Sequence, residues 1–449
     1  MERTLIRGAA VLSMDPAAGD LARGDILVEG SRIRAIGPNL RAAGAGELDA
    51  SGMLALPGLI NAHFHTWETA LRGIGGDWTG REYFRVVHAG IATRYTPEDT
   101  YLGNFFGALS QLDAGVTTLF DWCHGNPTPA HTDAAVDALF GSGIRAVFGH
   151  GTVKPDPRPG QPHYSQVPHP AEEARRLRAG RLSSDAGRVT LALAILGADY
   201  STLEVTLHDM RLARELGLLS SAHIWGRDRQ VPRGYHALEA HGLLGPGHNI
   251  THGNYLEEEE LKLILDAGVS VTSTPAAELQ THAAEPLMGR VRRLGGRPSI
   301  GTDHEAYAGG SDMFFAMRFA LQTQRLFDNL RRARGELAGE GAVPVREALA
   351  WATLNNARAI GLGDRVGSLA PGKEADILLL RRDALPLLPG VEPAQAVVLH
   401  ASPACVDTVF VGGCKVKAGG KLLHAAEGLA RMKERLVESR RRLLAGAGG

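Results

Sequence analysis

The sequence has 449 residues, 44% hydrophobic and 22% charged, with a formal net charge of −1. Such a chain folds as one large globular unit plus a smaller module and is not disordered; with Lys and Arg spread along it, binding to nucleic acid or a membrane surface has no electrostatic basis. Three cysteines, Cys123, Cys405 and Cys414, lack C-x-x-C spacing, so neither a disulfide framework nor a thiolate metal site is suggested, and we expect a cytoplasmic protein.

In chain order, Met1 to Asp15 breaks its short apolar runs with Glu2, Arg3 and Arg7, so it has neither the apolar core of a signal peptide nor a membrane span. Thr4 to Met14, Gly24 to Ile36 and Glu47 to Leu54 read as short strands joined by turns. The apolar approach Met53 to Asn61 opens a different region. From there one unit recurs: a helical stretch, a Gly at its end, then a β-rich run that stops at a polar residue. The glycines are Gly115, Gly143, Gly217, Gly268 and Gly296, and the runs stop at Asp121, His150, His223, Thr274 and Asp303. Each Gly suits the position just past a helix, where positive φ is needed, and each run has the length of a buried parallel strand. Adding Met53 to Asn61, Val189 to Leu196 and Ile250 to Asn254 gives eight candidate strands. The pattern predicts an α/β fold, a (β/α)₈ TIM barrel whose chemistry sits at the C-terminal ends of its strands. A doubly wound nucleotide-binding sheet is set aside, because no G-x-G-x-x-G follows an early strand.

The stretch from Gly151 to Pro170, rich in Pro, Gly and His, is expected to cover part of the barrel mouth. Beyond the barrel, Glu374 to Leu380, Thr408 to Val411 and Lys415 to Leu422 return to the short-strand pattern. The two ends of the chain are expected to form one small β-sandwich beside the barrel. Glu427 to Leu444 reads as an amphipathic basic helix with Leu429, Met432, Leu436 and Leu443 on one face, suited to docking or to contact in a homodimer or larger homo-oligomer. The expected boundaries are 1–56 and 365–425 for the two parts of the sandwich, 57–364 for the barrel and 426–449 for the terminal helix.

The most informative triplet is His63-Phe64-His65, at the end of an apolar run. Residues i and i+2 of a strand point to the same side, so both imidazoles face the barrel axis. His223 and His252 stand at other strand ends, and Asp303 closes the last. Imidazole and carboxylate are the usual ligands of a catalytic zinc site that keeps one position open. Two motifs are decoys. Gly367 to Lys373 has the spacing of a phosphate-binding loop, but Glu374 replaces the required Ser or Thr and a strand follows. No G-x-S-x-G occurs, so a nucleophile-elbow serine hydrolase is unsupported.

The chain resembles the amidohydrolase superfamily, in the branch of cytosine and guanine deaminases and triazine hydrolases. The resemblance lies in Pro57 to His65, Leu71-Arg72-Gly73, Ala114 to Thr118, Ala222-His223, Thr251-His252-Gly253, Ser299 to Asp303 and Val366 to Asp376, and spans essentially the whole sequence. It implies that His63, His65, His223 and Asp303 hold one divalent metal, Zn²⁺ or else Fe²⁺, with His252 beside the water and substrate, either as a hydrogen-bond donor outside the ligand set or as a further ligand. Binuclear relatives need a carboxylated Lys on the fourth strand; Val189 to Leu196 has none, and Lys154 is assigned to a loop. Metal coordination lowers the pKa of water to about 7. Asp303 can then accept the proton and pass it to the leaving group while His252 stabilises the developing oxyanion.

One position departs from the resemblance. Ring deaminases of this branch carry Glu three residues after the fifth-strand His, where it protonates the heterocycle; here that position is Gly226. Asp228, Glu278 and His304 are the candidates to replace it, with His304 the best placed. The expected function is hydrolysis of an amide, lactam, carbamate or similar acyl group in a small molecule, with Asp303, His252 and His304 catalytic. Two alternatives stay open: an aminohydrolase with a relocated donor, and a metal-binding barrel that has lost catalysis. Trp67, Trp225, Glu278 and Tyr307 are expected to contact substrate, drawn from a wider aromatic group that includes Trp78, Tyr83, Phe84 and Trp122.

Overall fold

The computed structural model describes residues 3–339, 341–390 and 392–445. Eight parallel strands form one sheet, hydrogen-bonded in the order Leu59–Phe64, Val116–Cys123, Arg145–His150, Val189–Ile195, Leu219–Ile224, His248–His252, Ser270–Ser273 and Ser299–Ile300. Buried on both faces, such strands read as continuous apolar runs; every residue of Val189–Ile195 is buried. Helices between them start and stop on local signals. Pro97–Asp113 opens with Pro97 in its first turn and a reciprocal Thr96–Asp99 capping pair. Pro129–Ser142 ends at Gly143, with φ +82°.

The fifth glycine expectation is off by one. Gly295, at φ +76°, takes the left-handed position, its N–H donating to the Arg292 carbonyl, while the Gly296 N–H donates to that of Val291 at 2.8 Å. That pair of bonds closes the helix Met288–Arg293 and makes Gly296 the second residue beyond its cap, Leu294.

The barrel closes where its last strand meets its first. The His65 N–H donates to the Asp303 carbonyl at 2.7 Å and the Asp303 N–H to the His63 carbonyl at 3.1 Å. Closure depends on Gly301, where a Cβ would sit 2.6 Å from the His63 carbonyl oxygen. The ring of strands thereby brings His63, His65 and Asp303 to one rim.

A second, mixed sheet takes nine strands from both ends of the chain. Met53–Pro57 pairs in parallel with Arg3–Val11 on one side and antiparallel with Ile377–Arg381 on the other, so it joins the two terminal segments. Ile6, Ile26, Ala55, Ile377, Leu379 and Phe410 make its separate core. Three expected strands divide: Gly24 to Ile36 turns at Gly30 into the hairpin Leu21–Glu29 and Arg32–Gly37, and Glu47 to Leu54 breaks around Gly52. Met53 to Asn61 parts at Pro57-Gly58, giving its first half to the mixed sheet and its second to the barrel.

Arg145, at the start of the third barrel strand and 2% exposed, ties the two sheets together. Its Nε and Nη2 donate to the Asp376 carboxylate at 2.8 and 2.9 Å, and Nη2 also donates to Glu374 at 3.2 Å. Asp376 further accepts from the Thr118 hydroxyl and the Gly412 N–H. The Val366 to Asp376 motif is therefore structural, and Lys373 caps the carbonyls of Gly363 and Val366. Removing one partner of a buried ion pair strands the other, so Arg145→Ala should lower stability by about 3–5 kcal/mol. Denaturant unfolding checks this, and an unchanged midpoint refutes it.

The terminal helix Ala426–Ala445 packs on its own chain: Ser439 donates to Asp99 at 2.6 Å, Arg440 to the carbonyls of Ala70 and Arg72, and Leu443 is fully buried. Among the described residues no helix is long and apolar enough to cross a membrane, and all three cysteines are free.

Candidate metal centre and active site

His63, His65, His223 and Asp303 offer ligand atoms that all lie within 4.8 Å of one another at the C-terminal rim of the barrel. His63 Nε2 stands 3.2 Å from His223 Nε2 and 3.3 Å from Asp303 Oδ1, and His65 Nε2 stands 3.3 Å from the same oxygen. A tetrahedral zinc with bonds of about 2.0–2.1 Å has ligand–ligand edges of about 3.3–3.4 Å, so these separations fit a small divalent ion. Protonation fits as well. His65 Nδ1 lies 2.7 Å from the Trp122 carbonyl, which can only accept, so that nitrogen carries the hydrogen and Nε2 presents its lone pair. His63 Nδ1 meets the Thr251 hydroxyl at 3.1 Å. Burial lowers the His63 pKa to about 3 and holds His223 well below its usual value, so both rings are neutral, as ligation requires. At Asp303 burial works upward, yet the surrounding imidazoles of His304, His63 and His65 hold the carboxyl well below the carboxylate range.

Two rim residues adopt left-handed backbone without being glycine: His252 at φ +68° and Asp303 at φ +66°. That conformation is strained for such residues, and it recurs where a side chain must be aimed. His252 is oriented from behind. Its Nδ1 contacts Glu278 Oε1 at 3.3 Å and the Thr274 hydroxyl at 3.1 Å, leaving Nε2 3.9 Å from Asp303 Oδ2. Glu278 is fully buried and is fixed by the Thr274 N–H at 2.7 Å and the Asn254 amide at 3.3 Å. Burial depresses His252, but the Glu278 hydrogen bond and the Asp303 charge outweigh it and raise its pKa. The Asp303 carboxylate is thus divided: Oδ1 faces the His63 and His65 imidazoles, whereas Oδ2 faces His252 and Thr274.

These groups open on a small cavity of about 70 Å³, whose walls include Trp225, Tyr307, Tyr83, Phe84, Trp122 and His304. His304 accepts the Ala306 N–H on Nδ1, so its neutral ring carries the hydrogen on Nε2; that atom is buried with no partner among the described residues. Trp67 and Glu278 are not in the wall. Trp67 is fully buried, and its indole N–H donates to His124 at 2.8 Å; Glu278 lies behind His252. Asp228 is exposed and lines an outer vestibule beside Trp225. A wider cleft at the opposite end of the strands, lined by Thr190, Ser220 and Arg365, contains no metal-type cluster among the described residues.

Gly226 has φ +91°, and a Cβ there would lie 2.6 Å from the Leu256 nitrogen and 2.8 Å from the Tyr255 carbonyl carbon. The turn is pinned by Asp199, whose Oδ2 accepts the N–H groups of both Trp225 and Gly226 at 2.7 Å. No side chain fits this backbone as it stands.

Sequence reasoning missed a second polar cluster beside the first. Glu68, His88 and His124 converge within 4.8 Å, all buried. Glu68 Oε1 accepts the Tyr83 hydroxyl at 2.6 Å, Oε2 has no partner and lies 4.0 Å from His304 Nδ1, and burial pushes the carboxyl well up. Lys154, assigned to a loop from sequence, is the one residue of 151–170 in the cavity wall. His124 directly follows a strand end, a signal that could have found it; Glu68 and His88 lie in a short 3-10 helix and a one-turn π-helix.

Residues 54–416 match the family described as "Amidohydrolase family". The chain is 27% identical over 443 residues to a 5-methylthioadenosine/S-adenosylhomocysteine deaminase of Symbiobacterium thermophilum, covering 92% of this chain and 93% of that protein. It is 29% identical over 439 residues to an 8-oxoguanine deaminase of Pseudomonas aeruginosa, covering 92% and 93%. In fold it resembles an atrazine chlorohydrolase of Arthrobacter aurescens TC1 solved with zinc, with TM-score 0.85 and 23% identity, covering 97% of this chain and all of that one.

Proposed function

The chain belongs to the amidohydrolase family, and from that premise we propose that this hydrolase of small-molecule carbon–nitrogen bonds acts on an acyl group, in an amide, lactam or carbamate. The observation that carries the reading is Gly226: its backbone admits no side chain, so the ring-protonating acid cannot come from there. An acyl carbon needs no ring protonation. One divalent ion, Zn²⁺ or else Fe²⁺, would be held by His63, His65, His223 and Asp303, and when bound it supplies Lewis acidity that brings the pKa of water to about 7. Asp303 Oδ2, turned away from the ligand imidazoles, is the atom to take the proton and return it to the leaving nitrogen. His252 and the Nε2–H of His304 supply hydrogen bonds for the developing oxyanion. Trp225 and Tyr307 bind substrate directly, while Trp67 acts through His124.

Glu278 serves this reaction by positioning His252. Outer partners of this kind typically contribute about 10- to 100-fold, so Glu278→Gln should lower turnover by that factor with metal content unchanged. Unaltered turnover removes Glu278 from the role.

The proposal is tested by a screen of activated amides, lactams and heteroaryl amines, scoring acid formation against ammonia. Acid from the acyl compounds is expected. Loss of a positioned general acid costs about 10²- to 10⁴-fold, so guanine, cytosine and aminotriazines should give negligible ammonia. Gly226→Glu should lower the melting temperature without creating deamination. Efficient ammonia release from a heteroaryl amine by the unaltered protein sinks the acyl reading and favours the second one, deamination through His304. One observation speaks for that alternative: the unpartnered Oε2 of Glu68 lies 4.0 Å from the His304 ring.

The same reading has the enzyme in the cytoplasm, where three unpaired cysteines suit a reducing compartment. It also has the enzyme as a homo-oligomer, for which Phe315, Leu326 and Leu330 offer an exposed apolar stripe on one helix. A sedimentation mass of a single chain removes that last element.

A further inference from the structure

Lys154 is 6% exposed, and its ammonium stands over the Trp122 ring, 5.5 Å from the centroid. Trp122 packs on the His223 imidazole at 4.2 Å, so the charge lies one ring from a proposed metal ligand. Among the described residues no carboxylate comes within 4.0 Å of Nζ. Glu68 is the acidic group that most affects it, and its carboxyl is engaged by Tyr83. An ammonium taken out of water without a carboxylate partner is among the costliest placements in a protein. Burial lowers the Lys154 pKa to about 8, which leaves it mostly charged at neutral pH. A charge kept in a site at that cost is a mark of function.

His124 stands on the same wall, 2% exposed and stacked on His65 at 4.2 Å. Its Nδ1 accepts the Trp67 indole N–H, so the neutral ring carries its hydrogen on Nε2. This tautomer also argues against a cation held by Glu68, His88 and His124. One His124 nitrogen has its lone pair occupied and the other carries a proton, and the Lys154 ammonium would repel a cation.

We propose that Lys154, with the His124 N–H beside it, binds a carboxylate of the substrate, so that the acyl compounds cleaved here carry a negative charge close to the scissile bond. The inference rests on the cavity being the substrate site, as proposed above.

The test uses benzoate and benzamide, alike in shape and different in charge, titrated calorimetrically into the metal-loaded protein. The unaltered protein should bind benzoate at least about tenfold more tightly than benzamide. Lys154→Met, similar in length and apolar, should weaken benzoate by about 30-fold or more, as loss of a buried charge partner does, and leave benzamide within about threefold. Without ligand, Lys154→Met should melt higher than the unaltered protein, because an unpartnered buried charge has been replaced by an apolar group. Benzoate binding undiminished in Lys154→Met overturns the proposal, and so does equal binding of the two probes by the unaltered protein. Metal content measured on the same samples separates the readings: absence of bound ion speaks against metal-dependent hydrolysis, while a benzoate preference that depends on Lys154 still supports the anion site.

Discussion

Replacing His65 with alanine is expected to abolish both metal binding and turnover. The ring is 2% exposed, its Nδ1–H is anchored on the Trp122 carbonyl, and its Nε2 faces the oxygen that His63 also faces. Three remaining ligands make a weak and misdirected site. Without the ion, the pKa of water returns from about 7 to 15.7, so the rate should fall by at least about 10⁴-fold at neutral pH. Metal analysis and turnover on one sample check this, with circular dichroism to establish that the barrel is folded. His63→Ala should behave alike. A folded variant of either kind that retains a full equivalent of metal refutes the ligand assignment.

The second large effect is expected at Asp303. Asp303→Asn keeps the shape of the side chain and an oxygen that can still face the ion, but an amide cannot accept and return a proton. Turnover at saturating metal should drop by about 10²- to 10⁴-fold, the range of a general acid–base group, with the fold unchanged. The division of the carboxylate sharpens the expectation: with Oδ1 toward His63 and His65 and Oδ2 toward His252 and Thr274, the variant loses its proton carrier on the substrate side. Wild-type rates in Asp303→Asn move the proton shuttle elsewhere, and His304 is the first place to look.

The barrel was legible in the sequence because strands buried on both faces leave continuous apolar runs, and because a residue at the end of such a run, like His223 or Asp303, has one place to go. The side chains that were not legible lie where no period reports direction. Glu68 and His88 occupy short 3-10 and π-helical turns between the first strand and Pro97–Asp113, too short to show a period, and Lys154 is in a loop that turns back into the cavity. Strand parity fails for a different reason at Trp122: all eight residues of Val116–Cys123 are buried, so burial does not separate the residues facing the axis from those facing the helices. Trp67 and Glu278 belong to the site's surroundings for reasons that only three dimensions supply, one standing under His124 and the other behind His252.

The mixed sheet ties the chain's two ends together, which sets the order of events during synthesis. Met53–Pro57 leaves the ribosome early, but its antiparallel partner Ile377–Arg381 follows only after some 320 further residues have been translated. At about 5–20 residues per second, the apolar edge of Met53–Pro57 stays unpaired for roughly 15 to 65 seconds. An open strand edge is a template for pairing with other chains, so the nascent protein spends that interval as a substrate for chaperones, and a ribosome stalled before residue 377 leaves behind an aggregation-prone fragment rather than a smaller enzyme.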